Sequence, residues 1–521
     1  PIVPVRYEDG TWGRKDDYPL GELAENPLRL LQEKKSVTET DYAIFNVIAD
    51  IHLTKKLTFT AKGDYQMTNR RTLSYAKAGL HGETDTNGGY ADIGNTKSRR
   101  WSNEDYFTYA DSWFDDQLKS NFVLGASWYY NHSENSSAGS EQFFDDFFGY
   151  HNLGAGTVYH KPSSGMSQQT MNSYYFRMNH TFRDKYLLGF TLRADGASNF
   201  GANNKYGWFP SASAAWIISE EPFFDAARKW VSNLKLRASY GTVGNASIPN
   251  YSTISQYSND QMILNGALNP YVVLSNLGNA DLKWETSKQF NVGLDVSLFD
   301  NRLELIMDYY NKTTTDLLFQ KQVPYTTGYA TTWTNLGKIR NKGFEVSVTG
   351  HIVSTKDWNF SATGIFSLNR NKVVSIGTAE NSGCTVDANG ICYTQYGGSV
   401  YNDAFLNVLA IGYPVNSFYG YMVNGIIQTP QGDGSSPNTR PGEFNYAGLN
   451  ADGTLDPDRR VIIGDPNPKF TSSLNLSLSH RIGLDLSVMM YAVYGNAIFS
   501  YRKLTSPALM SGRWTPERPT N

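Results

Sequence analysis

Hydrophobic and polar residues alternate with a period of two along much of the chain. Between Tyr42 and Leu53 one face reads Ala43, Phe45, Val47, Ala49, Ile51, Leu53, and the other Asn46, Ile48, Asp50, His52. The same pattern sets Phe122, Leu124, Ala126, Trp128 and Tyr130 against Asn121, Gly125, Ser127 and Asn131. It recurs at Tyr186–Leu192, at Phe290–Leu298, at Leu474–Leu478 and again at Leu484–Met490. Successive side chains of a strand point to opposite sides, so each segment predicts a strand with one greasy and one wet face. A strand of about ten residues, rising ~3.3 Å each and tilted ~45°, covers the apolar band of an outer membrane.

Connections alternate in length. Short polar turns are expected at Thr54-Lys55-Lys56, Arg183-Asp184-Lys185, Phe299-Asp300-Asn301, Thr355-Lys356-Asp357 and Arg481-Ile482-Gly483. Long polar loops are expected at 70–98, 133–170, 243–282, 317–333 and 374–468. Short periplasmic turns and long external loops are the asymmetry of bacterial barrels. The pattern therefore predicts an all-β fold, a large transmembrane antiparallel β-barrel contributing about 14–16 strands here. Residues 1–40 read as an irregular stretch of wall or loop, with a helical turn near Leu28–Leu31; residues 41–521 read as barrel. One further segment, Glu220–Trp230, has a proline at a helix-start position and basic residues near its end, and predicts a short helix.

Composition supports this reading. Of 521 residues 40% are hydrophobic, yet 14% are aromatic and only 18% charged, a balance suited to strands between lipid and water. A soluble sandwich would also alternate, but here Tyr and Trp gather near strand ends, as a lipid interface prefers. The net charge of -3 leaves no bulk footprint for nucleic acid. The absence of a long apolar run says nothing against a barrel. The chain opens at Pro1-Ile-Val-Pro and closes at Pro519-Thr-Asn without a final amphipathic strand, and is read as a piece of a longer protein. Cys384 and Cys392 lie close together beside Gly383 and Gly390; a disulfide is expected in an oxidising setting, with two separate thiols as the alternative.

Several segments resemble one family, the SusC/RagA-like TonB-dependent transporters. They are Trp208–Trp216 with Ile218–Glu221, Leu234–Asn245, Leu282–Thr286, Asn291–Asp295 and Asp308–Lys312. Asn335–Glu345 is the most telling, followed by Gly412–Pro414, Phe418–Tyr421, Ile463–Phe470 and Arg513–Glu517. The resemblance implies a bacterial outer-membrane barrel of the 22-stranded type whose plug domain and last strands lie outside this sequence. It implies energy from TonB–ExbB–ExbD and a SusD-like surface lipoprotein over the external mouth. Import of an oligosaccharide, or in some members a peptide, is the activity it suggests.

Candidate chemistry is sparse. Asn450–Asp458 is similar to half of a calcium loop, but Gly448 and Arg459 stand where the first and last ligands belong, so a metal-free turn is expected. The eight histidines show no metal-ligand spacing, and no phosphate loop or nucleophile elbow is present; neither cofactor nor catalytic residue is assigned. Loop aromatics carry the binding expectation, because sugar rings stack on aromatic planes while amides and carboxylates bond hydroxyls. Tyr150, Tyr159, Tyr257, Tyr271, Trp333, Tyr393 and Tyr396 are the candidates, with Asp387 and Asn389 between the cysteines. For each the plainer alternative is loop packing. A passive porin, a surface adhesin and a barrel hydrolase are the rival readings of the whole.

Overall fold

The computed structural model describes residues 4–14, 17, 26–80, 88–329, 331–377, 384–387, 390–401, 404–429, 441–447, 450 and 454–500. A seven-residue helix, Pro27–Glu33, is capped by Asn26, whose side chain accepts from the backbone N–H of Leu28 and Arg29. Fourteen long strands follow: β1 Lys34–His52, β2 Leu57–Ala76, β3 Tyr90–Trp113, β4 Leu118–Phe143, β5 Ser163–Phe182, β6 Tyr186–Ala197, β7 Tyr206–Ile217, β8 Val231–Asn245, β9 Glu285–Leu298, β10 Leu303–Thr315, β11 Lys338–Ser354, β12 Trp358–Ser375, β13 Phe470–His480 and β14 Leu484–Tyr494. They form one antiparallel sheet in unbroken chain order, and the short strand Gly156–Tyr159 joins the outer end of β4. Among the described residues β1 and β14 are edges, each paired on one side.

Register keeps the two faces separate across the whole sheet. Leu188, Ala214, Ala238, Val292, Tyr309, Phe344 and Leu368 are successive cross-strand partners on the apolar face. One residue away, Arg237, Gly293, Asp308, Glu345, Ser367 and Thr471 are partners on the polar face. Among the described residues no second layer covers the apolar side: Leu124 is 61% and Phe290 44% exposed, and Phe122 and Leu476 are half-buried. The buried apolar clusters lie instead at the long-loop end of the strands. This is the surface a lipid bilayer is suited to cover.

The short turns close the hairpins as expected. In two of them a threonine supplies the turn chemistry: Thr54 Oγ1 accepts from the N–H of Lys56 and Leu57, and Thr355 Oγ1 from that of Trp358. Each turn also docks on its neighbour through the backbone, as Arg183 N–H donates to Gln117 O, Ile217 to Lys185, Phe299 to Trp230 and Arg481 to Asp357. A further turn, Phe114–Gln117, escaped the sequence reading; Phe114, Asp115 and Asp116 all take positive φ there.

Two expectations need correction. Glu220–Trp230 is not a helix but two 3-10 turns, Ile218–Glu220 and Pro222–Phe224, followed by hydrogen-bonded turns to Trp230. Glu221 competes with helix formation because its carboxylate faces back to the wall, accepting from Tyr186 Oη, Lys185 Nζ and Trp216 Nε1. The supposed loops 70–98 and 133–170 are largely strand, since β2 and β3 run to Ala76 and from Tyr90, and β4 reaches Phe143. These extensions are rich in Ser, Thr and Asn on both faces, so they pair without showing hydrophobic alternation.

Leu476 lies on the apolar face and Ser477 on the polar one. Leu476→Arg should destabilise the bilayer-inserted protein by about 2–4 kcal/mol, whereas Ser477→Arg should cost little. Urea titration in lipid vesicles measures both, and equal losses would contradict this assignment of faces. At Glu221 the Tyr186 hydroxyl first, then the Lys185 ammonium and the Trp216 indole, hold the carboxyl below its usual range. A depressed pKa stabilises above the unfolded value of about 4.3 and loses that effect as pH falls through the folded one. Amides of 218–230 should therefore gain hydrogen exchange, beyond the intrinsic rate, below about pH 4.3. Glu221→Gln should abolish that pH step; an unchanged step would exclude Glu221 as its source.

Candidate functional site

Several charged side chains on the polar face are paired, some across strands and one along a strand. Lys62 approaches Glu104 at 3.5 Å, and the Tyr175 hydroxyl donates to the same carboxylate at 2.7 Å. Arg193 lies over the Tyr175 ring at 5.6 Å and donates to Asp195 at 2.7 Å. On β8–β10, Arg237 donates from Nε to Asp295 at 3.0 Å and from Nη2 to Asp308 at 2.6 Å. Lys235 adds a longer pairing with Asp295. Gly293 makes room for this arrangement, because a Cβ there would sit 2.4 Å from the Arg237 guanidinium carbon. Beside it a hollow of about 420 Å³ is lined by Asn179, Ser213, Lys235, Arg237, Ser239 and Asn291. Small residues on β6–β8 open this space, and two amides, two serine hydroxyls and two cations line it alongside Leu187 and several alanines. Such a surface offers many weak polar contacts and no single tight one, which is what a conducted solute requires.

At the long-loop end the connections build small cores of their own. Phe200, Phe209, Ile248, Leu282 and Trp284 form one buried cluster, and Trp333 packs against it. The Trp284 indole donates to Lys205 O, and Asn199 donates to Ile248 O. From this base projects a hairpin, Gln256–Leu264 with Ala267–Leu277, carrying Tyr257 at 63% exposure and Tyr271 at 39%. Tyr150 is buried with Leu73, Tyr75 and Ala91, beneath the Lys35 ammonium. Tyr159 is exposed at the end of its short strand.

The third group surrounds the cysteines, which form a disulfide, Cys384–Cys392. The bridge spans a narrow hairpin in which Val386 pairs with Cys392 and Thr385 with Tyr393. Asp387 accepts from Ile391 N–H at 2.8 Å and so shapes the turn. Tyr393 packs against Tyr419 with ring centroids 4.8 Å apart and planes tilted by 38°, beside a cluster with Val408 and Ala410. Burial first, then the Tyr393 hydroxyl, push the Tyr419 phenol up, well away from ionisation at neutral pH. Tyr396 pairs with Asn407 through its backbone; its side chain, and Asn389, lie outside the described residues. The Asn450 turn closes through Thr454, which receives the Asn450 N–H and side-chain amide, while Arg459 pairs with Asp456. Residues 448–449 and 451–453 lie outside the described residues.

The nine candidates thus fall on separate loops. Tyr393 and Asp387 share the disulfide hairpin, Tyr257 and Tyr271 share the projecting hairpin, and Trp333 lies at that hairpin's base. Tyr150 and Tyr159 belong to the β4–β5 connection. Sequence reasoning passed over the paired charges of the polar face. Their presence on wet positions of alternating strands was readable, but their pairing needs the cross-strand register.

The sequence model of the family described as TonB dependent receptor-like, beta-barrel, matches residues 5–491. TonB-dependent receptor P3 of Formosa agariphila is 32% identical over 99% of this chain and 51% of its own length. TonB-dependent receptor SusC of Bacteroides thetaiotaomicron is 27% identical over 66% of this chain and 33% of its own. Among solved structures, the RagAB peptide transporter superposes with a TM-score of 0.75 at 25% identity, covering 90% of this chain and 49% of that one. The chain spans about half the length of the curated relatives it matches most fully. With a fourteen-strand wall, one apolar and one polar face, and a family match along nearly its whole length, the chain belongs to the TonB-dependent receptor β-barrel family, in the SusC-like branch.

Proposed function

We propose that the whole protein imports a nutrient oligomer across the bacterial outer membrane, and that this chain supplies much of the conducting wall. The observation that carries the reading is the polar face, where Arg237 pairs with Asp295 and Asp308, Lys62 with Glu104, and Arg193 with Asp195. A lumen lined this way stays hydrated and holds no net field strong enough to trap a solute of either sign. Edges β1 and β14 would be paired by further strands of the protein, because an unpaired ladder in hydrocarbon is costly. In this scheme a plug domain fills the lumen, TonB–ExbB–ExbD supplies the force that displaces it, and a SusD-like lipoprotein closes the mouth. The barrel itself breaks no covalent bond.

For the solute, an oligosaccharide is our first reading, supported by the exposed tyrosines of the 256–277 hairpin, whose ring planes suit sugar faces. A peptide is the second, supported by the relation to a peptide transporter. Uptake of fluorescent oligosaccharide and peptide pools by cells carrying the full-length protein separates them. Import should fall to background when TonB is deleted, and at least tenfold when the lipoprotein partner is deleted. Uptake that persists without TonB would mean a passive pore. Tyr257→Ala with Tyr271→Ala should weaken capture several-fold without loss of assembled barrel; unchanged capture would remove the hairpin from the site.

A further inference from the structure

We propose that the apolar-side face of β9, β11 and β12 carries, just above its aromatic row, a binding site for phosphorylated lipid head groups, built from Lys288, Arg340, Lys342, Arg370 and Lys372. The inference rests on the outer-membrane placement proposed above. Register puts Lys342 directly opposite Arg370, and Arg340 directly opposite Lys372. Asn311 bridges to Lys342, and Thr313 links Arg340 to Lys288. All five cations are exposed. They share a face with Phe290, Tyr309, Phe344 and Leu368, each cation lying further along the same alternation.

Among the described residues no carboxylate forms an ion pair with them. The acidic residues nearest in the register face the polar side or are engaged elsewhere: Glu345 accepts from the Ser367 hydroxyl on the polar face, Asp308 pairs with Arg237, Asp316 with Lys283, and Glu285 accepts from Asn245 and the Leu318 N–H. Among the described residues none of the five cations belongs to an ion pair, while Arg370 spends one guanidinium nitrogen on the carbonyls of Asn369 and Lys469. Like charges directly opposite on neighbouring strands repel. Two such pairs side by side mark a surface that a polyanion would relieve.

Depth selects the anion. From the Thr355 turn to Phe344 β11 climbs about ten residues, or roughly 23 Å at ~3.3 Å per residue and ~45° tilt, close to the ~25 Å apolar band. Lys342 and Arg340 then stand about 5 and 9 Å above Phe344 by the same measure. That is where lipid phosphates meet water, and guanidinium forks suit phosphate oxygens. The band is not a generic basic rim. On the same face of β1–β4, Lys97, Arg99 and Arg71 are interspersed with acids, Arg71 lying 3.9 Å from Glu39 and His132 3.0 Å from Glu134.

The test uses the full-length protein in mild detergent, titrated with bis-phosphorylated lipid A and, in parallel, with the same lipid stripped of its phosphates. The native protein should bind the phosphorylated form at least tenfold more tightly, and added salt should shrink that margin. A variant carrying Arg340→Gln, Lys342→Gln, Arg370→Gln and Lys372→Gln should lose the margin, while Lys97→Gln with Arg99→Gln should keep it. Heat-modifiable gel mobility reports whether each variant is a folded barrel; if the quadruple variant is not, the native protein's phosphate margin and its salt dependence decide. Equal binding of both lipids, or an undiminished margin in a folded quadruple variant, overturns the site. So does a variant that keeps lipid A affinity but releases a co-purifying surface lipoprotein, which would make the band a protein interface. Loss of TonB-dependent uptake in the native protein with the phosphate margin intact would sink the transport reading and leave this one standing.

Discussion

Backbone hydrogen bonding in a medium that offers none is the constraint on which this molecule is built. In hydrocarbon every N–H and C=O must find its partner within the protein, and strands find theirs only in neighbouring strands. The sheet meets that demand by running fourteen strands in unbroken chain order, each paired to the one made before it. Because side chains alternate, one choice of register also decides every face at once; a slip of a single residue would send Arg237 and Asp308 into lipid and Val292 into water. Hydrogen bonds between adjacent turns, such as Arg183 to Gln117 and Arg481 to Asp357, hold that register at one rim.

How legible this was depended on whether a segment meets lipid. Where it does, as in Phe290–Leu298, burial on one side imposes a period of two, and strand, face and turn were all readable. Where the strands rise clear of the membrane, both faces of β3 and β4 are wet, alternation vanishes, and Tyr90–Lys97 or Ser133–Phe143 passed for loop. The Glu220–Trp230 turn shows the opposite failure. Its local helix signals were real, but the carboxylate of Glu221 is captured by Tyr186, Lys185 and Trp216, residues that only the hairpin geometry brings near. Tertiary bonding overrode local preference.

The candidate ligand residues illustrate why aromatic content alone is a poor guide to a binding surface. A loop of many residues cannot stand over a wet mouth without a core, so it spends its aromatic side chains on one. Trp333 and Tyr393 went that way, packing against the Trp284 cluster and Tyr419. Tyr257 and Tyr271 did not, because they stand on the projecting part of the hairpin, beyond the short pairing of Asn276 and Leu277 with Thr331 and Thr332. Nothing in their flanking sequence distinguishes the two pairs; the difference lies in what the loop folds against.

Charge is sorted by the same geometry. On the polar face of β8–β10 opposite charges fall on neighbouring strands, so Arg237 finds Asp295 and Asp308. On the outer face of β9, β11 and β12 the cations fall only beyond the aromatic row, never below it, and among the described residues no acid pairs with them. A charge below that row would be desolvated in hydrocarbon, so its height is constrained by solvation. The missing counter-charge is not constrained in that way, since the carboxylate of Glu39 is tolerated beside Arg71 on the same face of β1 and β2. Solvation explains where these cations stand; the phosphorylated lipid proposed above would supply the charge that the described residues do not.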